Sequence, residues 1–413
     1  MFQTLSMEQN RPLTLRKGQI FFAKVHKIFP NQHAEIQLGA HKLIAKLEAP
    51  LESGKGYFLQ VESGEGEPRL KLIATRQEGQ PSFTKQLSLP NEKGYRALAE
   101  FFTKESISMT HEQIHKAGKW VGAETDKKLA LEVIKLMSNR GMPFSDNVFK
   151  ALIAAGNKYP LTDLISSLLT ALVSENTPDS TALRIANYIE ALGIELAQKR
   201  ITAAPDVIQG KQAMEKIKYI IKQLGMFSEH SLVHNKNADG TESLKSLLIQ
   251  YLGQTDAKTN SVARQTAEHL LNRMNGQQLL SIDTGPIQQI CFDLPIELHG
   301  HRTDLSFQWE GKRKKDGKVD PDYCRIIFYL NLLNLGNTVV DVKIQNRITN
   351  ITVINESATV KNLAAVLIPE LEEKLKENDY ELSAVHFKQP FRKVNRQLQK
   401  ISTFPYSGVD IQI

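Results

Sequence analysis

The sequence predicts a multidomain α+β protein with a small five-stranded β-barrel near its start, a central helical region, and a C-terminal mixed sheet backed by an amphipathic helix. Three observations predict it. Apolar residues recur with a period near two from Gln19 to Ile73, switch to spacings of three and four from about Ser82 to Ser281, and return to a period near two after Gly285-Pro286. A chain of 413 residues also exceeds the roughly 250 to 300 residues at which single cores stop growing.

The barrel is expected over residues 19–75, behind a flexible N-terminus of residues 1–18. Its strands are read from Phe21, Ala23 and Val25, then Ala34, Ile36 and Leu38, then Leu43, Ala45 and Leu47, then Tyr57, Leu59 and Val61, and last Leu70 and Leu72. Breaks fall at Pro30-Asn31, Gly39, Ser53 to Gly56 and Ser63 to Gly66, where residues that favour turns cluster. Five strands of this length close into an OB-like barrel, which removes exposed edges. Among the aromatics Phe21, Phe22, Tyr57 and Phe58, alternation assigns half to the interior, so packing explains them as well as base stacking does.

Residues 82–281 read as packed helices. Leu129, Val133, Leu136 and Met137 share one helical face, as do Leu164, Leu168, Ala171 and Leu172. Thr110 with Gln113 three residues on, and Ser145 after Pro143, mark helix starts, while Ser228 to Glu242 reads as a long polar loop. The C-terminal domain, residues 286–390, returns to strands at Gln288 to Leu294, Thr303 to Trp309, Tyr323 to Leu332, Thr338 to Ile344 and Ile348 to Ile354. A helix from Glu356 to Asn378 follows, its stripe of Leu363, Leu367, Leu371 and Leu375 expected to cover the sheet, with Pro369 able to kink or restart it. Leu382 to Phe387 reads as a last strand, and residues 391–413 as a mobile basic tail.

Composition is globular, with 41% hydrophobic and 23% charged residues, which excludes a wholly disordered or collagen-like chain. The net charge of +7 is spread too thinly to nominate nucleic acid by itself. The polar opening lacks the apolar run of a secretory signal, and no stretch approaches the roughly 20 apolar residues of a membrane span. Cys291 and Cys324 read as reduced core thiols, so the chain is expected in the bacterial cytoplasm.

Candidate chemistry is sparse. His111-Glu112-Gln113-Ile114-His115 is an H-E-x-x-H string, in which two histidines a helical turn apart could hold zinc while Glu112 acts as base. Gly118 stands where one protease class has glycine, but Val121 occupies the place of the third histidine, and the string opens directly after the cap Thr110. A solvated helix start is the reading adopted. His26, His33, His41, His299 and His301 suit surface roles. No phosphate loop, G-x-S-x-G elbow, dinucleotide turn or C-x-x-C pair occurs, so neither enzyme activity nor a cofactor is expected. Lys312, Arg313, Lys314 and Lys315, with Lys318, form a basic run between strands that could meet phosphate or an acidic protein surface, but lacks interleaved aromatics.

The last third resembles the carboxy-terminal domain of flagellar hook-length control (FliK-like) proteins, including longer Gram-positive-type relatives with an N-terminal barrel. Leu330, Leu332 and Leu335-Gly336, followed by the alternating Val340, Val342 and Ile344, resemble that family's L-x-L-x-x-x-x-L-G pattern. Leu367, Pro369, Leu371 and Leu375, running on to Asp379 to Leu382, resemble its L-P-x-L run, and Val409-Asp410-Ile411 its ending. The resemblance implies a non-enzymatic substrate-specificity switch of type III secretion that binds the cytoplasmic domain of an FlhB-like export gate. It also allows export of the chain itself through a type III apparatus without a cleaved signal, and implies no small-molecule substrate or membrane insertion. The strand Thr338 to Ile344, with Asp341 and Lys343 outward, the basic run and the basic tail are the candidate partner surface. The alternative is a nucleic-acid binder using the barrel and the basic loop, and behind it a zinc hydrolase.

Overall fold

The computed structural model describes residues 16–38, 41–63, 69–75, 83–105, 107–157, 159–174, 180–192, 210–226, 242–254, 261–281, 283–284, 287–298, 301–314 and 319–390. The expected loop 228–242, apart from Glu242, lies outside these residues, as do Lys315, Lys318, His299 and the tail 391–413. Two compact units divide between Phe149 and Lys150, so that the barrel and the helices directly after it belong together.

The first unit opens with β1 (Gln19–Phe29), β2 (His33–Leu38), β3 (His41–Leu47), β4 (Gly56–Ser63) and β5 (Arg69–Thr75). They pair in the order β1, β2, β3, β5, β4 and back to β1, which closes the expected OB-like barrel; β3 and β5 are parallel and the other pairs antiparallel. Phe21, Val25, Ile36, Leu59, Val61 and Leu70 fill the interior at no more than 1% exposure. Each such side chain contributes on the order of 1.5–3 kcal/mol. A bulge between Val25 and Lys27 bends β1. The short β6 (Ser108–Thr110) then extends the same edge of β1 that β2 uses, pairing with Gln19 to Phe21.

Four helices follow the barrel's strands: α1 (Phe83–Gln86), α2 (Lys93–Lys104), α3 (His111–Ala123) and α4 (Lys127–Arg140), with α5 (Asp146–Gly156) next. In this unit α1 lies against β5 and α2 against β1. Ile20 and Phe58, which alternation turns out of the barrel, are accordingly buried. Helices α2 and α3 approach so closely that a Cβ on Gly94 would overlap the backbone of Gly118 and Gly122, and one on Gly118 would overlap the Tyr95 ring.

The second unit carries α6 (Leu161–Val173), α7 (Ser180–Ala191), α8 (Gly210–Leu224), α9 (Leu244–Gln254) and α10 (Val262–Leu280). Its sheet runs β7 (Asp283–Thr284), β8 (Ile287–Leu298), β9 (His301–Arg313), β10 (Val319–Leu332), β11 (Gly336–Gln345) and β12 (Ile348–Asn355), then α11 (Val360–Ala365), α12 (Ile368–Glu377) and β13 (Glu381–Lys388). The strands lie side by side in chain order and pair antiparallel, except β12 and β13, which are parallel across the helical crossover. Leu294, Leu305, Phe307 and Phe328 join one core with Leu168, Ile185, Leu247 and Leu270 of the helices.

Three details tie the helices to the sheet. Asp304 of β9 accepts hydrogen bonds from Leu161 N, from Thr162 N at 3.1 Å and from Thr162 Oγ1 at 2.5 Å, capping α6, whose own N-cap Pro160 offers no acceptor side chain. Arg273 of α10 donates to Asp293 of β8 at 2.8 Å, both side chains buried, and Gln277 donates to the same oxygen at 2.6 Å. Arg273 also donates to the Tyr159 carbonyl.

Two expectations need correction here. The helix over Glu356 to Asn378 is two short helices, because Pro369 cannot donate a backbone hydrogen bond and stands at the start of α12. The leucine stripe does not seal the sheet: Leu363 and Leu367 are 59% and 63% exposed, Leu371 is also exposed, and only Leu375 is half-buried. Most of the sheet's apolar cover is supplied by α6, α8 and α10 at the β8 and β9 end, while α12 lies against β13.

Candidate nucleic-acid interface

Because α1 and α2 occupy the barrel wall at β5 and the start of β1, the wall formed by β2, β3 and the later part of β1 is left open. Side chains that share a row across paired strands point to the same face, and three such rows form this wall. Lys24 pairs with Gln37 and Gln37 with Lys42; Lys27 pairs with Glu35 and Glu35 with Ile44; Phe29 pairs with His33 and His33 with Lys46. Four lysines therefore face one carboxylate.

All four lysines are exposed. Lys42 reaches Glu35 at 3.3 Å, whereas Lys24, Lys27 and Lys46 form no ion pair among the described residues. Between them stand two apolar side chains in water, Phe29 at 37% and Ile44 at 56% exposure. Alternation alone makes Ile44 face outward, since Leu43, Ala45 and Leu47 take the inner positions. The β1–β2 loop holds the third row in place: Asn31 and Gln32 adopt positive φ, and His33 Nδ1 donates to the Pro30 carbonyl at 3.3 Å. Phe22 does not belong to this surface, because its ring lies over Gly56 and edge-on to Phe58 at 5.1 Å.

Such a wall combines mobile cations with flat or branched apolar groups at strand spacings of about 4.8 Å. The cations suit a phosphate backbone and the ring suits an unstacked base. Sequence reasoning missed this site. Phe29 was passed over because it stands at the turn, and the lysines because net charge was averaged over the whole chain; the outward alternation of Lys42, Ile44 and Lys46 was the available signal.

The other candidates go elsewhere. His111 opens α3 after a capping box, in which Thr110 Oγ1 accepts from Gln113 N at 3.3 Å and Gln113 Oε1 accepts from Thr110 N at 2.9 Å. His111 Nε2 is 2.8 Å from the Leu87 carbonyl, which can only accept, so that nitrogen carries the proton and has no lone pair for a metal. His115 lies edge-on to Tyr95 at 5.9 Å. Glu112 pairs with Lys116 at 2.8 Å, a hydrogen bond that holds its carboxyl below the usual range. Among the described residues no group of three or more His, Cys, Asp or Glu could hold a metal ion. Gly118 is required by the Tyr95 ring instead, and Val121 is buried.

In the second unit, Thr338 is buried and accepts from Asn355 Nδ2 at 2.7 Å, so its hydroxyl is not presented outward. Asp341 receives both Arg325 Nε and Nη2 at 2.8 Å, and only Lys343 of that trio is exposed. Lys312 is exposed at the end of β9, the Arg313 backbone ends that strand, and Lys314 lies 3.8 and 3.9 Å from Asp320 and Asp322. The basic run is thus partly neutralised. Leu330, Leu332, Leu335 and Gly336 form the β10–β11 hairpin, where Leu332 pairs with Gly336 and Gly336 takes φ +61°.

Residues 1–71 match the family model described as the TP0910 S1-like domain. The chain is also similar to the uncharacterised protein YlqG of Bacillus subtilis (strain 168), 31% identical over 152 residues that make up 36% of this chain and 26% of that protein. The chain thus spans about a quarter of the length of the curated relative it matches. No solved structure matches. The resemblance to hook-length control proteins is corrected by these findings: the matches are to an S1-like domain and to YlqG, and no hook-length control family is among them. Its motifs have structural causes, a hairpin glycine and a proline at a helix start. The export-gate partner falls with it. Among the described residues no helix is long and apolar enough to cross a membrane.

Proposed function

We propose that this protein binds single-stranded nucleic acid through the open wall of its N-terminal barrel and acts by binding rather than by chemistry. The observation that carries the reading is the three-row surface of Lys24, Lys27, Lys42 and Lys46 around Phe29, His33 and Ile44. The S1-like match over residues 1–71 supports it, since OB-type barrels recurrently take oligonucleotides on this kind of surface. A single strand is favoured over a duplex because Phe29 can stack only on a base whose face is free.

Fluorescence anisotropy of the full chain with a labelled single-stranded oligoribonucleotide, repeated over a range of salt, tests this. Affinity falls steeply as salt rises, and replacing Lys24, Lys42 and Lys46 together by Gln lowers the slope of log affinity against log salt by about 2, at about 0.7 per lost phosphate contact. Binding that ignores the triple substitution removes the proposal. A duplex bound as well as the single strand removes the role of Phe29.

A further inference from the structure

The sheet of the second unit ends on β13, which among the described residues pairs with β12 alone. Its other edge is a row of backbone donors and acceptors. Glu381 N donates inward to the Arg347 carbonyl at 3.0 Å, so the next amide, that of Leu382, points to the free side. Sheet edges are ordinarily protected by proline, by shortness or by charges, and of these β13 carries only the charges at its two ends, Glu381 and Lys388, both exposed. The crossover helices cover a face rather than this edge: Thr349 and Ile351 of β12 are buried at 1% and 7% exposure, and α12 lies against β13.

The side chains of β13 are ordered so that the strand complements itself. Ser383 is an extra residue in the ladder, since Thr349 pairs with Leu382 and Asn350 with Ala384. With Ser383 bulged out, the strand runs Glu381, Leu382, Ala384, Val385, His386, Phe387 and Lys388, and Val385 stands at its centre. An antiparallel copy centred there sets Glu381 against Lys388, Leu382 against Phe387, Ala384 against His386, and Val385 against itself. Leu382, Val385 and Phe387 pair with Thr349, Ile351 and Val353, so they share one face, and on it half-buried apolar groups meet their like. At both ends a carboxylate meets an ammonium group. A two-fold interface needs this reciprocity, in which each residue meets the partner of its own partner.

We infer that β13 pairs antiparallel with β13 of a second copy of this chain, about a two-fold axis at Val385, so that the two sheets become one. The inference is independent of nucleic-acid binding by the barrel.

Sedimentation velocity of the full chain over a range of concentrations tests it, with Glu381→Lys and Lys388→Glu as exposed charge variants. The chain sediments as a dimer at the upper concentrations, and each variant alone raises the dissociation constant severalfold, because like charges then face each other at both ends. Mixing the two variants restores the dimer, since every facing pair is again of opposite charge; a loss of folding would not be rescued this way. A monomer at every concentration, or a dimer indifferent to both variants, overturns the inference. The register is read by Val385→Cys, which mild oxidation joins to the same position of a second copy, whereas His386→Cys, facing Ala384, is joined far less. Equal cross-linking at the two positions overturns the pairing.

Discussion

Thr110, His111 and Gly118 lie within one stretch of the first unit, and each is held by a local contact. Thr110→Ala removes the side-chain acceptor of the capping box and should cost about 1 kcal/mol, read as a lower urea midpoint with unchanged m-value. In the second unit the buried Arg273–Asp293 pair offers a sharper test. Arg273→Met strands a buried carboxylate and should cost about 3–5 kcal/mol, while Arg273→Met with Asp293→Leu recovers most of that, because removing both charges also removes their desolvation. Neither partner was legible in the sequence, which offered no reason to join residue 273 to residue 293 across a helix and a strand. The capping box was legible, since its two members are three residues apart. Phe29 was not: a residue beside a turn has no alternating neighbours on one side to assign its face.

At the scale of elements, alternation located all five barrel strands and the long strands of the second sheet, because a two-residue period survives wherever one face is buried. It could not locate β6, whose three residues show no period, nor tell that Leu363, Leu367 and Leu371 stay exposed while Leu375 is half-buried. Helical spacing shows that side chains share a face, never which face finds a partner. On the open barrel wall, Phe29→Ala should weaken oligonucleotide binding by about 1–3 kcal/mol if one base stacks there, with the melting temperature unchanged because the ring contributes little to the interior. Cap Asp304 makes a prediction about pH. Burial raises its carboxyl above the ordinary range despite the hydrogen bonds from Thr162 and Leu161, so the folded state holds this proton more tightly than the unfolded chain does. Its contribution to stability is therefore greatest at low pH and declines as pH rises through the window between the unfolded value, about 3.9, and the raised folded value. Urea midpoints of the full chain measured across that window should lose this downward component in Asp304→Asn.

For the molecule as a whole, the net charge of +7 concealed a local imbalance, four lysines against one glutamate on a single wall. Long-range steering and counterion release depend on where charges sit, so an averaged value said little about the partner. The first unit offers a basic surface with exposed apolar groups, and the second a sheet with α6, α8 and α10 against β8 and β9 and α12 against β13. The measurement that bears most directly on the central claim is photo-cross-linking of the full chain to a thiouridine-containing oligoribonucleotide, with the attached peptides mapped by mass spectrometry. Cross-links concentrated in Lys24 to Lys46, with Phe29 among them, are the expected result. Cross-links confined to the second unit, or scattered with no preference for β1 to β3, would contradict the account.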